Sequence, residues 1–101
     1  MSQAETIGQR IKRERLNRRL TQRELADAVD VGVPHISKVE ADRERAGDTL
    51  LVRLAEFLDL DVDELFVVAR RLPDEVAEDL AADPRETVAF FRRMRESRGA
   101  G

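Results

Sequence analysis

Side chains able to do covalent or metal chemistry are scarce in this chain of 101 residues. There is one histidine, His35, and no Cys, Tyr or Trp. Thiolate ligation, disulfides and thiol catalysis are therefore excluded. The sequence has no G-x-x-x-x-G-K-S/T phosphate cradle, no G-x-S-x-G elbow and no H-E-x-x-H zinc motif. The carboxylates from Asp61 to Asp79 fall at helix starts and along helices, where capping and solubility account for them. A hard-cation site needs a tight loop of alternating oxygens instead. An acid–base pair needs a pocket, and a small helical chain offers little room for one. The expectation is no enzyme, no metal and no cofactor.

What remains is charge. Eighteen Lys and Arg face twenty-one Asp and Glu, a net −3. The distribution is uneven. Between Glu5 and Arg23 lie seven cations (Arg10, Lys12, Arg13, Arg15, Arg18, Arg19, Arg23) and two acids (Glu5, Glu14), a local +5. From Asp61 to Gly101 seven cations meet ten acids, a local −3. A basic front and an acidic back suit a chain that meets a polyanion with one end. Two solvated helix faces of differing charge would look the same. At 42% hydrophobic and 39% charged, the chain is too apolar for a disordered polyampholyte and too charged for a membrane protein. No stretch approaches the roughly 20 apolar residues of a bilayer span. The start, MSQAETIGQR, lacks the basic and apolar regions of a signal peptide, so the cytoplasm is the expected location.

The elements that must position these charges all read as helix. Ala, Leu, Arg and Glu dominate, and no alternation lasts long enough for a strand. Helix 1 is expected from Thr6 to Arg18, with Ile7, Ile11, Arg15 and Leu16 on one stripe. Thr21 and Glu24 form a T-x-x-E capping box that opens helix 2, whose inner face is Leu25, Ala26 and Val29. After a turn from Asp30 to Gly32, helix 3 runs from Val33 to Ala41. Pro34 lies in its first turn, and Ile36 and Val39 point inward. A charged loop, Asp42 to Gly47, follows. Asp48 or Thr49 caps helix 4, which buries Leu50, Leu51, Leu54, Ala55 and Leu58. Asp61 caps helix 5, with Leu65, Phe66 and Ala69 in the core. Pro73, Asp74 and Glu75 open another helix ending near Ala82. Asp83-Pro84-Arg85-Glu86 starts a last one reaching Glu96, and Ser97 to Gly101 should fray.

Two short helices joined by a three- or four-residue turn are the layout of a helix-turn-helix. In that layout Thr21, Gln22 and Arg23 at the start of helix 2 approach the DNA backbone, and the exposed first turns of helix 3 enter the major groove. The outward residues there are Gly32, Val33, Pro34, His35, Ser37 and Lys38. A lone surface His or Lys is also an ordinary solvated residue.

The chain resembles the Cro/CI-like, or XRE-type, helix-turn-helix repressors from Ile7 to Phe66. The matching residues are Ile7-Gly8-x-x-Ile11, Leu20-Thr21-Gln22-x-x-Leu25-Ala26, and Val31-x-Val33-Pro34-His35-Ile36-Ser37-Lys38-Val39-Glu40. The loop from Arg43 to Arg45 and Leu50-x-x-x-Leu54-Ala55-x-x-Leu58 complete the set. Arg19, Asp30 and Asp42 stand where the family usually carries Gly, and Ala46 where it often carries Pro. These departures bear on turn geometry, where Asp tolerates left-handed backbone better than most residues. The resemblance implies that Thr21 and Gln22 hold phosphate within reach of a base edge. It implies that Val33, Pro34 and Lys38 face base edges with His35 beside them, where Lys38 suits G O6 or N7 and Val33 a thymine methyl. It implies phosphate contacts by Arg43 and Arg45. It also implies a structural ion pair of Arg15 with Glu40, tying helix 1 to helix 3.

The expected architecture is all-α: a five-helix Cro/CI-like helix-turn-helix domain over residues 1–71, then a helical dimerisation tail over residues 72–101. Two short amphipathic helices cannot hide their stripes on each other alone. Val76, Leu80, Val88, Phe90, Phe91 and Met94 therefore need a cover: docking on their own domain is one, and the homodimer contact with the same tail of a second subunit is the one assigned. The run Asp63-Glu64-Leu65-Phe66-Val67-Val68-Ala69-Arg70-Arg71-Leu72-Pro73, with Ala82-Asp83-Pro84, resembles small repressors encoded beside ImmA/IrrE-type metallopeptidases in mobile elements and antiphage (phage-defence) islands. That implies a peptidase partner cutting within Val88 to Met94. The resulting expectation is a sequence-specific repressor, dimeric on a palindromic operator of double-stranded DNA, with no membrane contact. An antitoxin of the same fold, or a helical protein-interaction module that does not bind DNA, are the alternatives.

Overall fold

The computed structural model describes residues 4–72 and 74–99. Pro73 lies outside them, as do Ala100 and Gly101. Every element among the described residues is a helix: α1 (Ile7–Asn17), α2 (Gln22–Ala28), α3 (Val33–Glu40), α4 (Asp48–Leu58), α5 (Val62–Val68), α6 (Asp74–Ala82) and α7 (Pro84–Gly99). None is long and apolar enough to cross a membrane.

Side chains set the starts. Thr6 Oγ1 accepts from Gln9 N at 3.1 Å while Thr6 N donates to Gln9 Oε1 at 2.9 Å, a complete capping box. Thr21 and Glu24 form the same reciprocal pair at 3.0 and 2.9 Å. Asp61 Oδ1 accepts from Glu64 N at 3.0 Å. For α4 the expectation needs correcting. Its N-cap is Gly47, and Asp48 is the first helical residue, where its carboxylate favours the positive end of the helix dipole.

One device repeats at the ends. Arg19, Asp30, Asp42, Asp59 and Arg70 follow α1 to α5 and all carry φ between 55° and 59°. Around each, the next residue's N–H reaches back five positions: Leu20 to Arg15 O, Val31 to Ala26 O, Arg43 to Lys38 O, Leu60 to Ala55 O, Arg71 to Phe66 O. These are Schellman closures made without glycine. The left-handed turn holds at all three positions where Gly is usual, so chain direction is kept.

The closures fold α1–α5 around Ile11, Leu25, Ala26, Val29, Ile36, Val39, Leu50, Leu51, Leu54, Ala55, Leu58, Leu65 and Phe66, all buried. Ala46 is buried as well, so the α3–α4 loop is charged only in part. Leu16 does not join the core. It is 54% exposed, because the inner face of α1 is Gly8, Ile11 and Arg15 and Leu16 lies about 100° further round.

The chain divides into two compact units, Met1–Arg71 and Leu72–Gly101. The second is the α6–α7 hairpin. Asp83 Oδ1 accepts from Glu86 N at 3.2 Å, and Thr87 Oγ1 donates to Leu80 O at 2.7 Å. Neither helix has a buried residue. Ser97 to Gly99 continue α7 rather than fraying.

Candidate nucleic-acid interface

α3 begins at Gly32, whose extended backbone caps the helix without a side-chain bond. Ile36, Val39 and Glu40 turn inward and are buried. The opposite stripe, Pro34, Ser37, Lys38 and Ala41, is exposed at helical spacing. Val33 is half-buried against the core, so its methyls divide between interior and surface. The outer side of α3 is thus small, polar and cationic.

A buried polar network fixes this helix. Arg15 Nε and Nη2 donate to Glu40 Oε2 and Oε1 at 2.7 and 2.9 Å, a bidentate pair with both residues 7% exposed. Arg15 Nη1 donates to Leu20 O at 2.8 Å. One guanidinium therefore ties α1, the α1–α2 turn and α3. Glu40 Oε1 also accepts from Gln22 Nε2 at 3.1 Å. Gln22 thereby commits one amide proton inward, which orients its side chain along α3. Thr21 and Arg23 are exposed, and the Thr21 hydroxyl oxygen is occupied by its cap.

Lys12, Gln22, Ser37, Glu40 and Ala41 line one shallow depression of about 200 Å³. Lys12 belongs to this face although sequence reasoning left it in the general field of α1. Its signal was position. Lys12 lies one turn after Gly8, whose N–H donates to Asp42 Oδ1 at the end of α3.

The rest of the basic stripe on α1 is largely neutralised. Arg10 meets Glu64 at 2.9 Å and Arg13 meets Glu5 at 2.8 Å. The Arg13 hydrogen bond holds the Glu5 carboxyl below its ordinary range. Arg18 sits 3.8 Å from Glu14 and donates to the carbonyls of Glu14 and Leu58. Among the described residues, Lys12, Arg19, Arg23, Arg43 and Arg45 enter no ion pair. Of these, Lys12 beside α3, Arg23 on α2, and Arg43 and Arg45 beyond α3 border the helix-turn-helix, where Glu24, Asp27 and Asp30 also enter no ion pair among the described residues.

One acid pairs with the outer side chains of α3. Glu44 Oε2 lies 2.5 Å from His35 Nδ1, and Glu44 Oε1 lies 3.4 Å from Lys38 Nζ. The His35 hydrogen bond, followed by Lys38, holds the Glu44 carboxyl below its ordinary range. His35 and Lys38 were read as outward-facing groups, and both have this carboxylate as partner. No helical periodicity extends into the loop to reveal Glu44.

A helix-turn-helix family model matches residues 11–65. No curated protein matches the sequence. Among solved structures, the chain is similar to the restriction-modification controller protein C.AhdI from Aeromonas hydrophila, at 28% identity and a TM-score of 0.56, over 59% of this chain and 91% of that one. It is similar to SinR, a master regulator for biofilm formation solved in complex with DNA, at 29% identity and a TM-score of 0.56, over 60% and 98%. The antitoxin HigA of Pseudomonas aeruginosa, solved with the higBA promoter, matches over 83% and 90% at a TM-score of 0.62. At 15% identity that likeness shows the fold alone.

Proposed function

The chain belongs to the helix-turn-helix family, in its Cro/CI-like branch, and from that premise we propose that it is a sequence-specific transcriptional repressor acting as a homodimer on a palindromic operator. The observation that carries the reading is the exposed stripe of α3 (Pro34, Ser37, Lys38, Ala41) flanked by cations without internal partners. Such a surface admits a duplex without dismantling the core. Lys38 donates to guanine O6 or N7, and Val33 and Pro34 offer apolar contact beside it. Thr21, Arg23, Arg43 and Arg45 hold phosphates, Gln22 and Ser37 sit between them, and Gly32 lets the backbone come close. C.AhdI and SinR, regulators at 28% and 29% identity, support the same assignment.

Dimerisation is proposed for α6 and α7. Val88, Phe90, Phe91 and Met94 are between 41% and 50% exposed, and Val76 is 37% exposed. Charge supports a second copy as the cover. α6 carries Asp74, Glu75, Glu78 and Asp79 and no cation, whereas α7 carries Arg85, Arg92, Arg93, Arg95 and Arg98 against Glu86 and Glu96. Among the described residues none of these groups is in an ion pair. A two-fold axis sets the acidic helix of one hairpin on the basic helix of the other, as a self-complementary interface requires. Two recognition helices would then address half-sites about 34 Å apart.

The resemblance of the tail to peptidase-controlled repressors supports a release mechanism. A metallopeptidase cutting between Val88 and Met94 would remove bivalency, and linked half-site contacts bind orders of magnitude more tightly than one. Incubation with an ImmA/IrrE-type peptidase and mass spectrometry of the product tests this. An intact tail removes it.

The test of the main reading is fluorescence anisotropy with duplex DNA from the chain's own upstream region across 50–200 mM salt. Four cations per subunit (Lys12, Arg23, Arg43, Arg45) give a log–log slope of about −3 to −4 per half-site. Weak, sequence-blind binding with a flat salt response would leave a protein-interaction module in its place.

A further inference from the structure

Among the described residues, Glu44 is the one carboxylate in an ion pair with the outer side chains of α3. It sits between two exposed cations, Arg43 and Arg45. Two backbone bonds fix it there. Arg43 N donates to Lys38 O at 2.8 Å and Glu44 N to the same oxygen at 3.3 Å, so the loop folds back over the last turn of the helix. The left-handed backbone of Asp42, φ 59°, makes that reversal possible. Glu44 Oε2 then reaches His35 Nδ1 at 2.5 Å and Oε1 reaches Lys38 Nζ at 3.4 Å, one oxygen for each donor.

We propose that Glu44 sets DNA specificity by holding Lys38 and His35 away from phosphate, so that binding to arbitrary sequence is selectively weakened. The proposal rests on the DNA-binding reading above and adds a residue to it that makes no favourable phosphate contact. Its physics is competition. On arbitrary DNA the cations of a recognition helix turn to the nearest phosphate, since that is where non-specific affinity comes from. Here Lys38 and His35 already have an anion within reach, and any phosphate near them meets the Glu44 charge as well. At a matched site Glu44 is not repelled in the same way. In the major groove the exocyclic amines of cytosine and adenine donate to a carboxylate, while Lys38 keeps its own acceptors on guanine. The repulsion therefore falls mainly on the wrong partner, which is how discrimination is built by penalty rather than by added attraction.

An exposed Lys–Glu pair contributes little to folding, so the substitution Glu44→Gln separates binding from stability. Its near-isosteric amide keeps the loop, and thermal melting should coincide with that of the wild type. The decisive measurement is affinity for a scrambled duplex across a salt series, with the upstream duplex alongside. Glu44→Gln should bind the scrambled duplex about three- to tenfold more tightly, with a log–log salt slope steeper by about 0.9, the signature of one further cation engaged. The upstream duplex should gain less, so the specificity ratio falls. In a Lys38→Gln background the same change should have a smaller effect and leave the salt slope nearly unchanged, because the sequestered cation is gone and only the His35 contact and the Glu44 charge remain. An unchanged scrambled-duplex affinity and slope would overturn the proposal, as would equal weakening on both duplexes, which marks a positioning role for Glu44. Those results leave the regulator reading standing. A wild-type chain that binds no duplex at all removes both.

Discussion

The N–H of Gly8 donates to Asp42 Oδ1 at 3.1 Å, and a Cβ on Gly8 would lie 2.5 Å from that same oxygen. It would also lie 2.5 Å from Val39 O and 2.7 Å from Glu40 O. The start of α1 is therefore pressed against the end of α3, with the Thr6 hydroxyl donating to Asp42 Oδ2 at 2.7 Å. Backbone carbonyls cannot swing aside as a side chain can. Gly8→Ala should destabilise the first unit by about 2–3 kcal/mol, in the range of overpacked sites. Urea denaturation checks this, and a midpoint within error of the wild type would show that α1 can slide.

Arg19 offers the opposite case. Its φ of 55° is left-handed, and the described residues give its side chain no hydrogen bond or ion pair. A Cβ in that conformation costs roughly 1 kcal/mol. Arg19→Gly should therefore raise stability by about that amount. Asp42→Gly relieves the same backbone but loses the bonds to Thr6 and Gly8, so it should fall below Arg19→Gly in the same melt.

The Arg15–Glu40 pair lies at 7% exposure on both sides, and breaking one half strands a buried charge. Arg15→Met should cost about 3–5 kcal/mol. The double change Arg15→Met with Glu40→Leu should recover much of the loss, since apolar replacement of both partners avoids the stranded charge. It also frees Gln22, so duplex binding by the double variant should be weaker than its stability suggests. Equal losses in single and double variants would mean that the pair itself, not the stranded charge, holds α3.

Much of this arrangement is legible in the residues. Thr21 and Glu24 announce a helix start because a capping box is local chemistry. Asp30 and Asp42 stand where the resemblance places Gly, and they are legible as its substitutes because Asp tolerates left-handed backbone better than most residues. The pairing of Arg15 with Glu40 is implied by family resemblance, and the side chains meet at 2.7 Å. The errors have a common origin. Leu16 was placed on the inner stripe because spacing tells which residues share a face, not where the neighbouring helix touches it. The bond of Gln22 to Glu40 and the place of Glu44 beside His35 are illegible for a further reason. The partners stand 18 and nine residues apart, brought close by two Schellman reversals that sequence spacing does not display.

Two carboxylates carry a pH signature. Hydrogen bonds from Arg13 to Glu5 and from His35 to Glu44 hold both below their ordinary range. A depressed folded value means that the contribution is present above the ordinary carboxylate range and is lost as pH falls through the folded value. Both sites are solvent-screened, so the effect on stability is small. Carboxyl chemical shifts should show Glu5 and Glu44 titrating below the ordinary glutamate range. Arg13→Gln should return Glu5 alone to the ordinary range; a shift of both would point to a general field rather than two separate contacts.

The α6–α7 hairpin gives the most demanding test, because its charges distinguish a second copy of the chain from any other cover. Phe91→Asp puts a carboxylate into the proposed apolar contact, and sedimentation velocity should move from dimer to monomer. That result alone would also follow from loss of a foreign partner or from local unfolding. Charge exchange removes the ambiguity. Changing Asp74, Glu75, Glu78 and Asp79 all to Lys turns α6 from −4 to +4, so two such hairpins repel and the variant should be monomeric. Arg92→Glu, Arg93→Glu and Arg95→Glu together turn α7 from +3 to −3 with the same result. Mixed together, the two variants should form a heterodimer, because the basic α6 and α7 of one hairpin meet the acidic α7 and α6 of the other. The combined charge swap within one chain likewise restores both contacts, and it should dimerise as the wild type does. A persistent monomer in the swapped chain, with α-helical content unchanged, would place the dimer contact outside α6 and α7.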